Sequence, residues 1–416
     1  QGIRRLDAGC CLRFRTGETE FTIRRYYQVR ERLRDLDGLS AEPLLEELDH
    51  LFTQAVDRHL IADTAIGLNV SGGLDSSTLV HYVNQASDEP LHGFNQDYEG
   101  YSEAPWVHAA TQNTRIKPTI IPVSPHQARE ALHDVVAAQA EPFGGIAVIG
   151  YHFLYKKADA MNVTVLLDGN GIDEVFLGYR KYHDDFVLCQ IGTPNESEAI
   201  RDYAASWQCT EEEVRTRIRN RLDAVGLSRD GTRAVRSEAI HPDLLRWDLQ
   251  DYSLAPTGRH PVRQSGLEDL LRTKIPRGLR FNDRASMMWS KELRVPFLDT
   301  DLVEFGLALP VEHLIRAGES KALVRQLMSR YLPPEVTRSP KRMIQTPQRE
   351  WLAKEWQDLV LDIIESGSFA ERGWILPEQA SALYRGYCDG SRDNSFFIWQ
   401  WLNLELWARR FLDGNS

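Results

Sequence analysis

Between Thr64 and Gly169 the chain alternates short β-type runs with helical patterns: "TAIGLNV", a helix from Ser76, "LHGF", a helix near 104–113, "KPTIIPV", a helix from His126, and "NVTVLLDG". Parallel strands need a long crossover where antiparallel ones need only a tight turn, so this alternation predicts a parallel sheet with helices on both faces. The expected fold class is α/β. Ligands in such sheets bind beyond the carboxyl ends of the strands. Two glycine-rich turns, one after Val70 and one after Leu167, fall at that edge.

The flanks read differently. Residues 9–28 alternate as two short strands joined by a glycine-containing turn, a hairpin too small to stand alone. From Ser40, a plausible N-cap, a helix of about twenty residues places Leu44, Leu45, Leu48, Leu51, Phe52 and Val56 on one face. Beyond Tyr179 the chain is charged and mainly helical, as in "TEEEVRTRIRNRLDAVG", and no strand-length β-branched run stands out. A helical C-terminal lobe is expected from about residue 181 to 416, after an α/β part over 40–180.

Composition excludes several classes. With 49 basic against 60 acidic residues the net charge is -11, which disfavours a nucleic-acid partner. The five cysteines (10, 11, 189, 209 and 388) form no CxxC, so neither a disulfide framework nor a structural zinc site is expected. No apolar run has the length of a membrane span, and "QGIRRLDAGCCLRF" lacks a signal-peptide core. The expected setting is a reducing cytoplasm without a membrane partner.

The first turn, "NVSGGLDSS", carries chemistry. Gly72 and Gly73 let the backbone approach an anion, and the helix that follows aims free N–H groups and its positive dipole end at it. Ser71, Ser76 and Ser77 add hydroxyl donors. Asp75 is misplaced for anion binding unless Mg2+ stands between carboxylate and phosphate, so the combination suggests ATP held through magnesium. GxxxxGK[ST] is absent, and Asn69 spoils a GxSxG elbow. A plainer reading is a Gly-Gly turn capping a helix.

Six ordered blocks extend the pattern: "GFNQDYEGYSEAPWV" from Gly93, "EPFGG" from Glu141, "LLDGNGIDEVFLGY" from Leu166, "NDRASMMWSKELRVPFLD" from Asn282, "SKALVRQLMSRYLPPEVTRSPKR" from Ser320 and "WLNLELWARRFL" from Trp401. Together with "SGGLDSS" they resemble the synthetase domain of glutamine-dependent asparagine synthetases and their β-lactam synthetase relatives, enzymes with the pyrophosphatase (PP) loop. The resemblance spans residues 40–416, and residues 1–39 resemble the tail of the glutaminase half and its linker.

That resemblance implies ATP and Mg2+ as cofactors and assigns residues. Asp75 and Asp173 match magnesium ligands, while Lys321 and Lys341 match lysines at the pyrophosphate and the reacting α-phosphate. Phe94 lies in a segment like the adenine-contacting strand end, and Gly169 in the second phosphate-side turn. Glu292 and Arg294 fall in a segment that lines the acceptor side, with Glu292 like an acid used in base chemistry; a plainer reading pairs the two as support. Cys10 and Cys11 read as packing residues rather than nucleophiles.

Two departures stand out. Asn170 occupies a position where asparagine synthetases carry an acid and lactam synthetases a tyrosine, and asparagine is no base. Gln1 is not the cysteine with which the family's glutaminase half begins. The implied reaction adenylates a carboxylate, aspartate or another such as a sugar uronic acid, and transfers ammonia to it, releasing AMP and pyrophosphate. The alternative closes an amide within one molecule, giving a lactam or macrolactam. Implied partners are a small-molecule or peptide carboxylate and ammonia from a glutaminase domain or partner, and the resemblance leaves room for a homodimer.

Overall fold

A computed structural model of the protein describes residues 6–222, 236–246, 260–339, 346–390 and 394–414. Strands β1 (Cys10–Phe14) and β2 (Phe21–Arg25) form the expected hairpin, with Leu12 opposite Ile23 and Phe14 opposite Phe21. The next five strands make one parallel sheet: β3 (Ile66–Asn69), β4 (Leu91–Asp97), β5 (Ile116–Pro122), β6 (Val165–Leu167) and β7 (Glu292–Arg294). Their order across the sheet is β5-β4-β3-β6-β7. The chain builds outward from β3 to β5, then returns to lay β6 on the other side of β3. This reversal puts a topological switch point between the carboxyl ends of β3 and β6, where open α/β sheets bind ligands.

Both faces of the sheet are buried. Leu68 and Leu167 face the helices Ala41–His59 and Leu74–Ala86, within a core that includes Leu44, Leu48 and Phe52. All six apolar positions expected on the first helix's inner face are buried, and Ser40 stands at its N-cap. On the opposite side, Leu166 and Phe94 pack with Leu154 and Tyr155 of helix Ile146–Ala160 and Ala285 of helix Ile275–Met287. The α/β expectation is met, with helices on both faces.

β7 is a departure from the sequence reading. It arises deep within the part expected to be helical and holds only three residues, too few for a periodic signal. Pairing supplies what propensity does not: Val165 lies opposite Glu292 and Leu167 opposite Arg294, and Asp168 N donates to Arg294 O at 2.9 Å. A second small hairpin, β8 (Ile315–Arg316) and β9 (Glu319–Ser320), precedes Lys321.

The C-terminal helices share a separate aromatic core that includes Trp351, Trp356, Phe397 and Trp399. Helix Phe396–Phe411 docks on the "EPFGG" segment, where Trp399 Nε1 and Asn403 Nδ2 both donate to Phe143 O at 2.8 Å. Among the described residues no helix is long and apolar enough to cross a membrane.

Candidate active site

The first glycine turn begins where β3 ends. Val70 N donates to Phe94 O at 2.8 Å, which ties the loop entry to β4. Gly72 has φ +67°, and a Cβ there would fall on the Trp106 backbone, so only glycine fits. Ser76 folds back over the loop: its Oγ accepts Ser71 N and lies 3.1 Å from Ser71 Oγ. Gly73 caps helix Leu74–Ala86 with no side chain on the first-turn N–H groups. Ser77 is fully buried and its hydroxyl has no partner. The turn therefore presents unspent donors at a helix N-terminus, as anion binding requires.

Asp75 and Asp173 approach one another across the switch point. Asp75 sits in the first turn of helix Leu74–Ala86, and Asp173 in the short helix Ile172–Val175 beyond β6. Lys321 bridges them, pairing with Asp75 Oδ1 and, at 2.5 Å, with Asp173 Oδ1. The lysine reaches this point from a left-handed backbone (φ +55°) at the start of helix Ala322–Met328, directly after β9. Gly178 makes room, because a Cβ there would fall on Asp173 Oδ1 and Lys321 Cε.

Two hard carboxylate oxygens converging from separate loops suit Mg2+, which is typically held by one or two carboxylates plus substrate phosphates. No group of three or more potential metal-binding side chains occurs among the described residues, so phosphate oxygens and water would complete the coordination. Asp75, Asp173 and the donors of the glycine turn fit that arrangement.

Around this centre lie residues that sequence reading passed over. Arg325 donates from Nε to Ser320 O at 2.7 Å and from Nη1 to Thr337 O and Ser339 O at 2.5 and 3.0 Å. It thereby fixes the residue before Lys321 and the segment leading toward residue 340. Burial pulls its guanidinium down from the usual range, while Glu319, Asp75 and Asp173 push it back up. Glu174, beside Asp173, accepts Tyr179 OH at 3.0 Å; its carboxyl is raised by burial and then by the Asp173 charge, with Lys274 opposing.

Asn170 donates its backbone N–H to Asp168 Oδ1 at 2.9 Å, and Asn69 Nδ2 donates to Asp168 Oδ2 at 2.7 Å. Burial pushes the Asp168 carboxyl up from the usual carboxylate range, and the donors Asn69, Asn170 and Asn282 pull it back. Gly169 packs against the backbone of Asp75, bringing the two turns together.

Other expected residues are placed elsewhere. Phe94 has its ring wholly enclosed against Gly67 and Tyr155, so its contribution to the loop is the carbonyl that holds Val70 N. Glu292 and Arg294 pair with each other at 2.7 Å. Arg294 also donates to His59 O and Ile61 O, in the connection that leads into β3, and Glu292 lies opposite Val165 at the start of β6. The pair's side chains are therefore tied to the connection before β3, while the Arg294 carbonyl, at the carboxyl end of β7, accepts Asp168 N. Lys341 lies outside the described residues.

A family model described as asparagine synthase matches residues 47–409. The chain belongs to the asparagine synthase family. Curated relatives include the putative glutamine-hydrolyzing asparagine synthetase of Mycobacterium tuberculosis, 25% identical over 445 residues, covering 99% of this chain and 65% of the relative. Asparagine synthetase 1 of Bacillus subtilis, also described as glutamine-hydrolyzing, is 25% identical over 88% of this chain and 59% of its own length. A putative asparagine synthetase of Methanocaldococcus jannaschii is 31% identical over 61% of this chain and 51% of its own. The chain thus spans 65% or less of the length of these relatives.

Proposed function

We propose that this member of the asparagine synthase family activates a carboxylate by adenylation on ATP and passes the acyl group to ammonia, forming an amide. The observation that carries the reading is the meeting of Asp75, Asp173 and Lys321 beside a glycine turn with free N–H groups. A carboxylate is a poor electrophile, and joining it to the α-phosphate converts it into an acyl group with AMP as leaving group. Magnesium bound at Asp75 and Asp173 would neutralise charge on the triphosphate. The chain's own residues orient and stabilise: the turn N–H groups with Ser71 and Ser76 cradle phosphate, and Lys321 offsets negative charge on the departing pyrophosphate. Lys341 is assigned to the α-phosphate by its sequence block.

The ammonia reading over ring closure is favoured by the relatives, whose names describe glutamine hydrolysis. One surface fits it. The hairpin presents Leu12, Phe14, Phe21 and Ile23 on a single face, each 48–57% exposed. An apolar face of this kind on two strands marks a contact surface, and we assign it to a glutaminase domain or partner that supplies ammonia. The acceptor is a small carboxylate, aspartate or a relative of it. Glu292 and Arg294 are assigned to the scaffold.

The test is Mg2+-dependent ATP–pyrophosphate exchange with a panel of carboxylates that includes aspartate and uronic acids. Exchange that requires one acid is the expected result. ATP binding without exchange for any acid would contradict adenylation.

A further inference from the structure

Asp168 is a buried carboxyl at the reacting edge to which no step above gives a role. It follows β6 directly and lies beside Asn69, the last residue of β3, in the register that pairs Leu68 with Leu167. The groups that face it are the Asn69 amide, the Asn170 N–H, Asn282 from helix Ile275–Met287 and Tyr155 from helix Ile146–Ala160. Tyr155 OH donates to Asn282 Oδ1 at 2.5 Å and accepts from Asn69 Nδ2 at 3.3 Å. Tyr155 is the titratable member of that set and is itself held in its neutral form by burial.

An amine that attacks an acyl-adenylate must lose a proton, and a group at the reacting edge has to take it. Asp75 and Asp173 are engaged by Lys321. Glu174 is engaged by Tyr179, and Glu292 by Arg294. Asn170 has no basic atom. Asp168 holds its carboxylate next to Asn170, and of the roughly four acceptor positions of a carboxylate the donors Asn69, Asn170 and Asn282 use three, leaving one.

We propose that Asp168 is the proton acceptor for the attacking amine, a role that rests on the adenylate reading. In that step the amine nitrogen bonds to the acyl carbon and the bond from that carbon to the phosphate oxygen breaks. Its electron pair leaves with AMP, and the N–H proton passes to an Asp168 oxygen, which returns it to solvent before the next turnover.

The experiment compares two reactions of the full chain, using the acid that supports exchange. Asp168→Asn should hold pyrophosphate exchange within about threefold while single-turnover amide formation from ammonia falls about a hundredfold or more. Hydroxylamine, whose conjugate acid gives up its proton more readily than ammonium, should recover most of that loss. Equal loss in both reactions, or full amide formation in the variant, would overturn the proposal. Asn69→Ala is the second variant. It removes a donor to the charged form of Asp168, so at constant free ammonia the acidic limb of amide formation should move to higher pH by about one unit. An unmoved limb would also overturn it. Absence of exchange in the unsubstituted chain would instead remove the adenylate reading, and this proposal with it.

Discussion

Two edges of one sheet carry acid–base clusters of similar composition and opposite character. At the carboxyl edge the Lys321 side chain is 2% exposed between Asp75 at 13% and Asp173 at 8%. On the edge strand β7 Arg294 is 20% exposed and Glu292 58%. Taking three ions out of water costs several kcal/mol each, and mutual attraction offsets that only in good geometry. A half-exposed pair faces no such cost and contributes at most about 1 kcal/mol. The first cluster is therefore an expensive arrangement that a scaffold alone would not need. It makes sense when a cation and a polyphosphate share its charges. The second is a brace that ties β7 to the entry of β3.

Substitutions should separate the two edges, beginning with Lys321→Ala. Exchange should fall about a thousandfold, and removal of one partner from the buried cluster should cost about 3–5 kcal/mol of stability. Mg2+ should then raise the melting temperature of the variant more than that of the parent, because a cation replaces the missing ammonium. Parent-like stability and exchange would erase the contrast between the edges.

Gly72→Ala comes next. It forces a Cβ onto the Trp106 backbone at φ +67°, and the positive φ alone costs about 1 kcal/mol. The KM for ATP should rise about tenfold or more, since the turn N–H groups lose their aim. An unchanged KM would detach the turn from ATP.

Arg325→Lys keeps the charge and loses the fork that grips three carbonyls. Exchange should drop about tenfold with ATP binding little changed, because the loss falls on lysine placement. The smallest effect belongs to Glu292→Gln, which should leave both half-reactions within about twofold. Selective slowing of amide formation in that variant would return Glu292 to the chemistry and break the comparison.

Much of the carboxyl edge was legible in the sequence because its parts are contiguous. A glycine pair after a β-run, with Asp75 and serines opening a helix, declares both geometry and chemistry. Asp173 and Lys321 were legible through the ordered blocks, and the fold brings them to Asp75. What escaped depends on pairing across the chain. β7 is three residues long and exists because Val165 and Leu167 have open edges. The Arg294 side chain is held by His59 O and Ile61 O, more than 230 positions earlier, which no local pattern encodes. Asp168 and Asn69 lie 99 positions apart and become a pair only when β3 and β6 align. Phe94 shows the converse: its place in a motif was legible, yet alternation along β4 turns its ring into the core.

Adenylation requires that a carboxylate oxygen bond to the α-phosphate. Incubating the chain with ATP, Mg2+, ammonium and its acid substrate labelled with 18O in the carboxyl group tests this directly by mass analysis of the AMP formed. One 18O atom per AMP is the predicted result. AMP without label, alongside a formed amide, or label appearing in inorganic phosphate with ADP as the nucleotide product, would contradict the adenylate mechanism.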